Sequence, residues 1–453
     1  MQGILFGRMI LDKEKPNSIK ASCLKHNFWT WSAQAEIEPI EVTRAQGVYF
    51  WDAQDKRYLD FNSMVMCSNI GHGNQRVIEA MHQQAMTLTF AGPWAATAPR
   101  AQLGELLADI TPENINRFLF TLGGADANEN AIKLARGYSG KNKILAHYRS
   151  YHGSTHGAVA LTGDLRRSVW EPNVMPGVIH VLNPYAYRSP FIFKNEAELT
   201  LEHLNYLEEV IRCEDAKTIA AIILEPVTGT NGIIIPPTGY LQGVREICNR
   251  NHILLIADEV MTGFGRTGEW FAVQHWQVKP DIITMAKGLT SGYAPLGAVG
   301  MTDEVAAVFD HRVYQGGLTY NGHPVCLAAA IANIEVIRDE DLVARAKNTG
   351  LILNEMLEEL KTHHPSVGEI RSIGLFGAIE LVRNRKSREP LSPYGGKSAE
   401  MKKLKQEFLE RGLFLTIHDN VLLIIPPLIV NQQELANGFS IISDSLAKVE
   451  KEL

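Results

Sequence analysis

Short runs of consecutive apolar residues recur along the middle of the chain, and they constrain its fold more than any other feature. They lie at residues 117–121, 143–146, 178–182, 219–224, 253–257, 282–285 and 297–301. A strand with one wet face alternates apolar and polar residues, whereas these runs are nearly continuous, as strands buried on both faces are. Between them the apolar spacing turns helical at 101–109, 127–137, 196–213 and 240–251. Buried strands alternating with helices predict a mostly parallel sheet covered on both sides. Ligands of such sheets sit at the carboxyl ends of the strands. The polar residues at those ends are Gly124 to Asp126, Glu225, Asp258-Glu259 and Lys287, and they are expected to converge on one crevice.

The 453 residues exceed what one compact core organises. After Pro324 the pattern changes to a long helix at 325–339, then helices at 342–360, 399–411 and about 431–452, with strands at 367–371, 375–381, 413–417 and 421–425. Residues 384–398 read as a polar loop. The expected division is a large domain over 71–330, a small α+β domain over 331–453, and an N-terminal segment, 1–70, whose strands at 47–52 and 57–61 join the small domain. Residues 16–45 read as irregular, with the aromatic group Phe28, Trp29 and Trp31 taken as packing. Asn74 is placed to cap a helix over 75–86.

Several functions are excluded by composition. The net charge is −6 without a long basic block, which argues against nucleic-acid binding. No stretch of 18 apolar residues is present to span a membrane. The apolar run at residues 3–6 is too short for a secretory signal, and charged residues 12–15 follow it closely. The five cysteines, Cys23, Cys67, Cys213, Cys248 and Cys326, form no CxxC pair, so a cytoplasmic protein without a zinc site is expected.

Lys287 ends an apolar strand and is followed by Gly288 and Gly292. Partial removal from water favours the neutral amine that Schiff-base chemistry needs. By itself this lysine fits a buried stem and a solvated head equally well. Thr121-Leu122-Gly123-Gly124-Ala125-Asp126 joins a strand to a helix, where free backbone N–H groups and the helix dipole suit a phosphate. Asp258, with an apolar run behind it, needs a partner, and a protonated ring nitrogen is one candidate. Tyr151, beside His152-Gly153, can lie against a ring. Gly263-Phe264-Gly265-Arg266-Thr267-Gly268 matches G-x-G-x-x-G, but it does not open a helix directly after its strand, so nicotinamide binding is not expected. His72, His152, His275 and His323 show no metal-ligand spacing and are read as structural.

Taken together, a phosphate turn, a carboxylate for a ring nitrogen, an aromatic for a ring face and a strand-end amine describe a pyridoxal phosphate site. The chain resembles the class III (ω-)aminotransferases, fold-type I pyridoxal phosphate enzymes, and within them the taurine- and ω-amino acid–pyruvate aminotransferases. The resemblance rests on Phe120 to Lys133, Ser150-Tyr151-His152-Gly153, Glu225-Pro226-Val227, Asp258 to Gly268, Ala286-Lys287-Gly288 and Gly317 to Pro324, in family order over essentially the whole chain. It implies a seven-stranded large sheet and a small α+β domain. Lys287 would join the cofactor covalently and then carry the proton between substrate and cofactor. Asp258 would keep the ring nitrogen protonated, while Tyr151 and Val260 would pack on its two faces. The backbone of Gly124 and Ala125 would hold the phosphate. Thr319 would reach the phosphate of a neighbouring subunit, implying a homodimer with the site at its interface, and tetramers remain open. Glu225 would lie near the site as a structural or switching residue.

Two departures bear on the substrate. Many members carry Ser-Gly-Ser where this chain has Gly123-Gly124-Ala125, which leaves only backbone donors for the phosphate. Where ω-amino acid:pyruvate members often place a pocket tryptophan and a mobile arginine, this chain has Met66 and about Thr416, with His418 close by. A wider or differently charged pocket is expected. The resemblance implies transfer of an amino group from a primary amine or ω-amino acid to an oxo acid such as pyruvate, in two half-reactions. An isomerase (aminomutase or racemase) or a decarboxylase could use the same scaffold.

Overall fold

The structure is a computed structural model, and it describes residues 19–452. The readings of residues 3–6 and 12–15 therefore lie outside the described residues. At its centre is a seven-stranded sheet in the order Arg117–Thr121, Gly297–Met301, Ile282–Met285, Leu254–Asp258, Ile219–Leu224, Lys143–His147, Val178–Val181. Gly297–Met301 runs antiparallel to both its neighbours. The other pairings are parallel.

The strand runs lack alternation because each side of the sheet faces helices. Ile223, Ile256, Ile282 and Val299 pack with Ala127, Ala131, Leu134 and Ala135 of the helix Gly124–Ser139. The intervening residues Ile222, Leu224 and Leu255 pack on the other face with Leu207 and Ile211 of Glu196–Glu214 and with Leu241, Val244 and Ile247 of Tyr240–Asn251. Every residue of Ile219–Leu224 is buried. Among the described residues no helix is long and apolar enough to cross a membrane.

Two smaller sheets complete the architecture. Val42–Gln46, Tyr49–Asp52 and Arg57–Asp60 form a meander, and Leu413–Phe414 adds in parallel through Leu413–Leu59 and Phe414–Asp60 pairs. A second sheet contains Val367–Ile373, Phe376–Asn384, Val421–Ile424 and Thr416–His418, with Glu389–Pro390 paired to Phe376–Asn384 inside the expected polar loop. The expected single strand over 413–417 is thus divided between two sheets at Leu415. Every residue of 413–417 except Thr416 is apolar, so no local break in the pattern marks the change of partner. Of the expected irregular stretch 16–45, residues 16–18 lie outside the described residues, and the rest holds more structure than expected, with a helix at Ile19–His26 and the strand at Val42–Gln46. Asn74 caps the helix Gln75–Thr87, accepting from the backbone N–H groups of Arg76 and Val77.

The G-x-G-x-x-G segment has a structural role. Arg266, 1% exposed, donates to the carbonyls of Leu375 (3.0 Å) and Pro426 (2.5 Å), to Ser63 Oγ (3.2 Å) and to Asn69 Oδ1 (2.8 Å). One guanidinium thereby ties the loop after Asp258 to the N-terminal segment and to the C-terminal sheet. Burial pushes its pKa down to about 9, partly offset by the charges of Asp60 and Cys67. Arg266→Met would leave these buried acceptors unpaired, and a loss of about 3–5 kcal/mol of unfolding free energy in denaturant titration is expected.

Candidate active site

The carboxyl ends of the strands meet at a cavity of about 170 Å³ whose walls include Gly124, Ala125, Tyr151, Glu225, Asp258, Val260 and Lys287. Of the strand-end polar residues expected there, Asp126 and Glu259 are not on its walls. Asp126 accepts from the backbone N–H of Leu122 at 3.2 Å, within its own turn. Glu259 is fully buried and accepts from Thr262 Oγ1 and from the Val273 backbone N–H (2.8 Å). Consecutive residues at a strand end point in opposite directions, so only one of the pair Asp258-Glu259 can face the cavity.

Lys287 sits at the end of the strand Ile282–Met285 with φ 46°, a conformation that is uncommon for a side chain with a Cβ. The surrounding turn holds it there. Asn333, fully buried on the helix Pro324–Asp339, donates to the carbonyls of Gly288 (2.8 Å) and Leu289 (3.0 Å) and accepts from Ser291 Oγ (2.6 Å). A Cβ at Gly288 would stand 2.6 Å from Asn69 Nδ2, which explains the glycine. The Lys287 amine makes no hydrogen bond or ion pair with any described residue, although it lines the cavity.

Across the cavity Asp258 is buried and held by three donors. Asn128 Nδ2 (2.8 Å) and His152 Nδ1 (2.6 Å) reach Oδ2, and the Val260 backbone N–H (3.0 Å) reaches Oδ1. Asn128 is fixed in turn by donating to the His152 carbonyl at 2.8 Å and accepting from Thr284 Oγ1 at 2.8 Å. Burial alone would lower the His152 pKa, but the hydrogen bond and charge of Asp258 override it and hold the imidazole above its ordinary value. The second ring nitrogen of His152 is buried without a protein partner.

The helix Gly124–Ser139 presents its N-terminus to the same cavity. The first N–H groups of a helix have no partner within it. Gly124 permits a close approach, since a Cβ there would stand 2.7 Å from Val260 Cγ1. Gly153 at φ 133° lies against Ala125, where a Cβ would be 2.5 Å away. An anion-ready helix end, a fixed carboxylate and an unpartnered amine thus share one space.

Glu225 closes the wall from the end of Ile219–Leu224. Its Oε1 accepts from the Tyr151 backbone N–H (3.0 Å) and its Oε2 from that of Gly229 (2.7 Å). Burial raises its pKa to about 6, with His152 opposing and Asp258 adding to the shift. An acid whose pKa is raised by folding contributes its full stability below the unfolded value and loses it as pH rises through the folded one. Glu225→Gln should therefore gain stability relative to the unsubstituted chain by about 2 kcal/mol between pH 4.5 and 7.5, measured by denaturant titration across that range.

The family model for class III aminotransferases ("Aminotransferase class-III") matches residues 31–446. The chain belongs to the class III aminotransferases. This class III aminotransferase is 34% identical over 404 residues to the putrescine–pyruvate aminotransferase of Pseudomonas aeruginosa, covering 87% of each chain. It is 35% identical over 427 residues to the leucine/methionine racemase of Thermococcus litoralis, covering 93% of each. Among solved structures it is similar to the taurine:2-oxoglutarate aminotransferase of Bifidobacterium kashiwanohense in complex with PLP and glutamate, with a TM-score of 0.92 and 38% identity over 95% of this chain and 97% of that one. The fold-type I architecture implied by the motifs is the one this aminotransferase adopts.

Three residues singled out from the sequence stand off the cavity wall in this aminotransferase. Met66 is buried behind it, in a cluster with Val227, Ile233 and the wall residue Met261. Thr416 is half-buried on Thr416–His418, and Thr319 is exposed. Conversely, Asn128, His152 and Asn333 were not assigned to the site by sequence reasoning. Asn128 and His152 lie inside the motifs, and helical or turn position alone does not show that both point at Asp258. Trp31, read as packing, is 70% exposed, and its ring stands edge-on to Tyr151 at 6.5 Å.

Proposed function

We propose that this chain transfers an amino group from a primary amine or ω-amino acid to an oxo acid such as pyruvate in two half-reactions, with pyridoxal 5′-phosphate in the cavity. The observation that carries this reading is the unpartnered amine of Lys287 sharing a small cavity with the anchored carboxylate of Asp258 and the N-terminus of the helix Gly124–Ser139. When bound, the cofactor withdraws electrons from the substrate carbon and stores the amino group between half-reactions. Lys287 attaches it and moves the proton at the substrate carbon. Asp258, kept in place by Asn128 and His152, accepts the N–H of the ring nitrogen. The backbone of Gly124 and Ala125 takes the phosphate, Tyr151 and Val260 border the ring, and Glu225 fixes the Tyr151 backbone from outside.

The assembly in this reading is a homodimer, with Thr319 serving the partner's phosphate. Exposed Val313 and Tyr320, on the segment that carries Thr319, and exposed Phe90, whose ring stands 5.8 Å from that of Tyr320, supply apolar surface for that contact. Residues 71–330 act as the cofactor domain, and 331–453 with the N-terminal strands as the small domain. The five free thiols agree with a cytoplasmic location.

The test is a single half-reaction. Donor amine added without acceptor should yield one equivalent of carbonyl product per active site, shift the visible absorption of the bound cofactor, and then stop until an oxo acid is added. Continuous conversion of a chiral amino acid to its mirror form with no acceptor would instead establish an isomerase.

A further inference from the structure

An oxo acid acceptor brings a carboxylate into the cavity, yet the basic groups on its walls among the described residues are Lys287, which the chemistry engages, and His152, which Asp258 already pairs. Arg166 lies beside those walls. Its guanidinium carbon stands 3.9 Å from the centroid of the Tyr151 ring, and its Nη2 donates to Thr230 Oγ1 at 3.2 Å; both partners line the cavity. Among the described residues no other guanidinium bonds to or stacks on a wall residue.

The head of Arg166 is held rigidly. Its Nε meets Asp164 Oδ1 and Oδ2 at 3.0 and 2.9 Å, and Nη2 also contacts Oδ2. Asp164 is itself buried, with 4% of its side chain exposed, and accepts from Asn231 Nδ2 at 3.0 Å. Arg166 keeps 32% of its side chain exposed, and its Nη1 has no partner among the described residues. The Nε–Nη2 edge is therefore spent on orientation, Thr230 takes a further Nη2 contact, and Nη1 is open. Of the other basic groups on this side, Arg149 stacks on Tyr185 and Tyr394, and His418 is held below its ordinary pKa by burial and by the charges of Arg166 and Arg149, opposed by Asp419 and Asp164, so it does not supply a competing cation near neutrality.

We propose that Arg166 anchors the carboxylate of the acceptor, making it the residue that selects oxo acids over uncharged carbonyl compounds. A guanidinium fork matches a carboxylate in shape and charge, and Asp164 prepays its orientation. The inference rests on the aminotransferase reading. It also gives the chain an anion site independent of Thr416.

The test compares the holoenzyme with the double variant Asp164→Asn/Arg166→Gln, which removes both charges and leaves no buried carboxylate unpaired. Two quantities are read: the ratio of kcat/KM for pyruvate over butanal with one amine donor, and the Kd of propionate, an unreactive carboxylate, from a thermal-shift titration. The expected result is a fall in the ratio of about tenfold to a hundredfold, carried by the KM of pyruvate, and a matching weakening of propionate binding. Arg166→Lys should recover part of both. A ratio and a propionate Kd both within twofold of the unsubstituted enzyme would overturn the proposal, as would equal losses for pyruvate and butanal, the mark of a merely structural arginine. If the unsubstituted enzyme transfers amino groups between no donor and acceptor, the aminotransferase reading fails, and the propionate titration still decides whether Arg166 binds carboxylates.

Discussion

Lys287→Ala should reduce turnover by about 10⁴-fold while leaving the protein folded. Among the described residues the amine is the one basic group on the cavity wall without a protein partner, so no neighbour is positioned to take over the proton transfer proposed for it. Removing it also breaks no hydrogen bond. The turn that positions it is held by Asn333 and Ser291 through backbone and side-chain contacts that do not involve the lysine head. Alanine would keep the same φ, so the change in unfolding free energy should stay within about 1 kcal/mol. Single-turnover kinetics and the visible spectrum of the bound cofactor check the first expectation, and denaturant titration checks the second. Turnover at the unsubstituted rate would remove the chemical role assigned to this strand end.

Asp258→Asn should cost both activity and stability. In the proposed reading the charge that would hold the ring nitrogen protonated disappears, and a loss in kcat on the order of 10²–10³-fold is expected. Inside the protein, Oδ2 takes hydrogen bonds from both Asn128 and His152, and an amide oxygen carries no charge to match the imidazole. The buried imidazole is then left without its counter-charge, and breaking such a pair costs about 3–5 kcal/mol. The sign of the pH dependence follows from His152. Its pKa is raised on folding, so the stability it contributes is complete below the unfolded value of about 6.5 and fades as pH rises through the folded value. The stability gap between the two proteins should therefore be widest in acid and narrow toward alkaline pH. A gap that widens with pH would mean that His152 is not the proton-bearing partner of Asp258.

Both positions are legible in the sequence, and the reason is local. A strand buried on both faces reads as an apolar run, and the residue that ends it must be polar or glycine for the chain to turn. Gly124, Tyr151, Glu225, Asp258 and Lys287 all follow such run ends or the turns beyond them, and all line the cavity. The G-x-G-x-x-G segment shows the limit of that method. Its spacing argued against a dinucleotide site but did not reveal that Arg266 bonds to residues as distant in sequence as Ser63 and Pro426. The 413–417 run shows another, because a change of hydrogen-bonding partner at Leu415 leaves no mark in side-chain pattern.

By itself, then, the sequence determined the alternation of buried strands and covering helices, the strand ends that line the cavity, and through its motifs the family. Those properties depend on neighbours a few residues away, where period and turn chemistry act. Only the tertiary structure decided which donors hold Asp258, that Asn333 braces the Lys287 turn from another helix, that Glu259 faces away from its neighbour's cavity, and that Arg166 lies on the Tyr151 ring with its Nη1 open. These depend on side chains meeting across gaps of tens to hundreds of residues, where hydrogen-bond geometry and exclusion of water, rather than local pattern, select the partner.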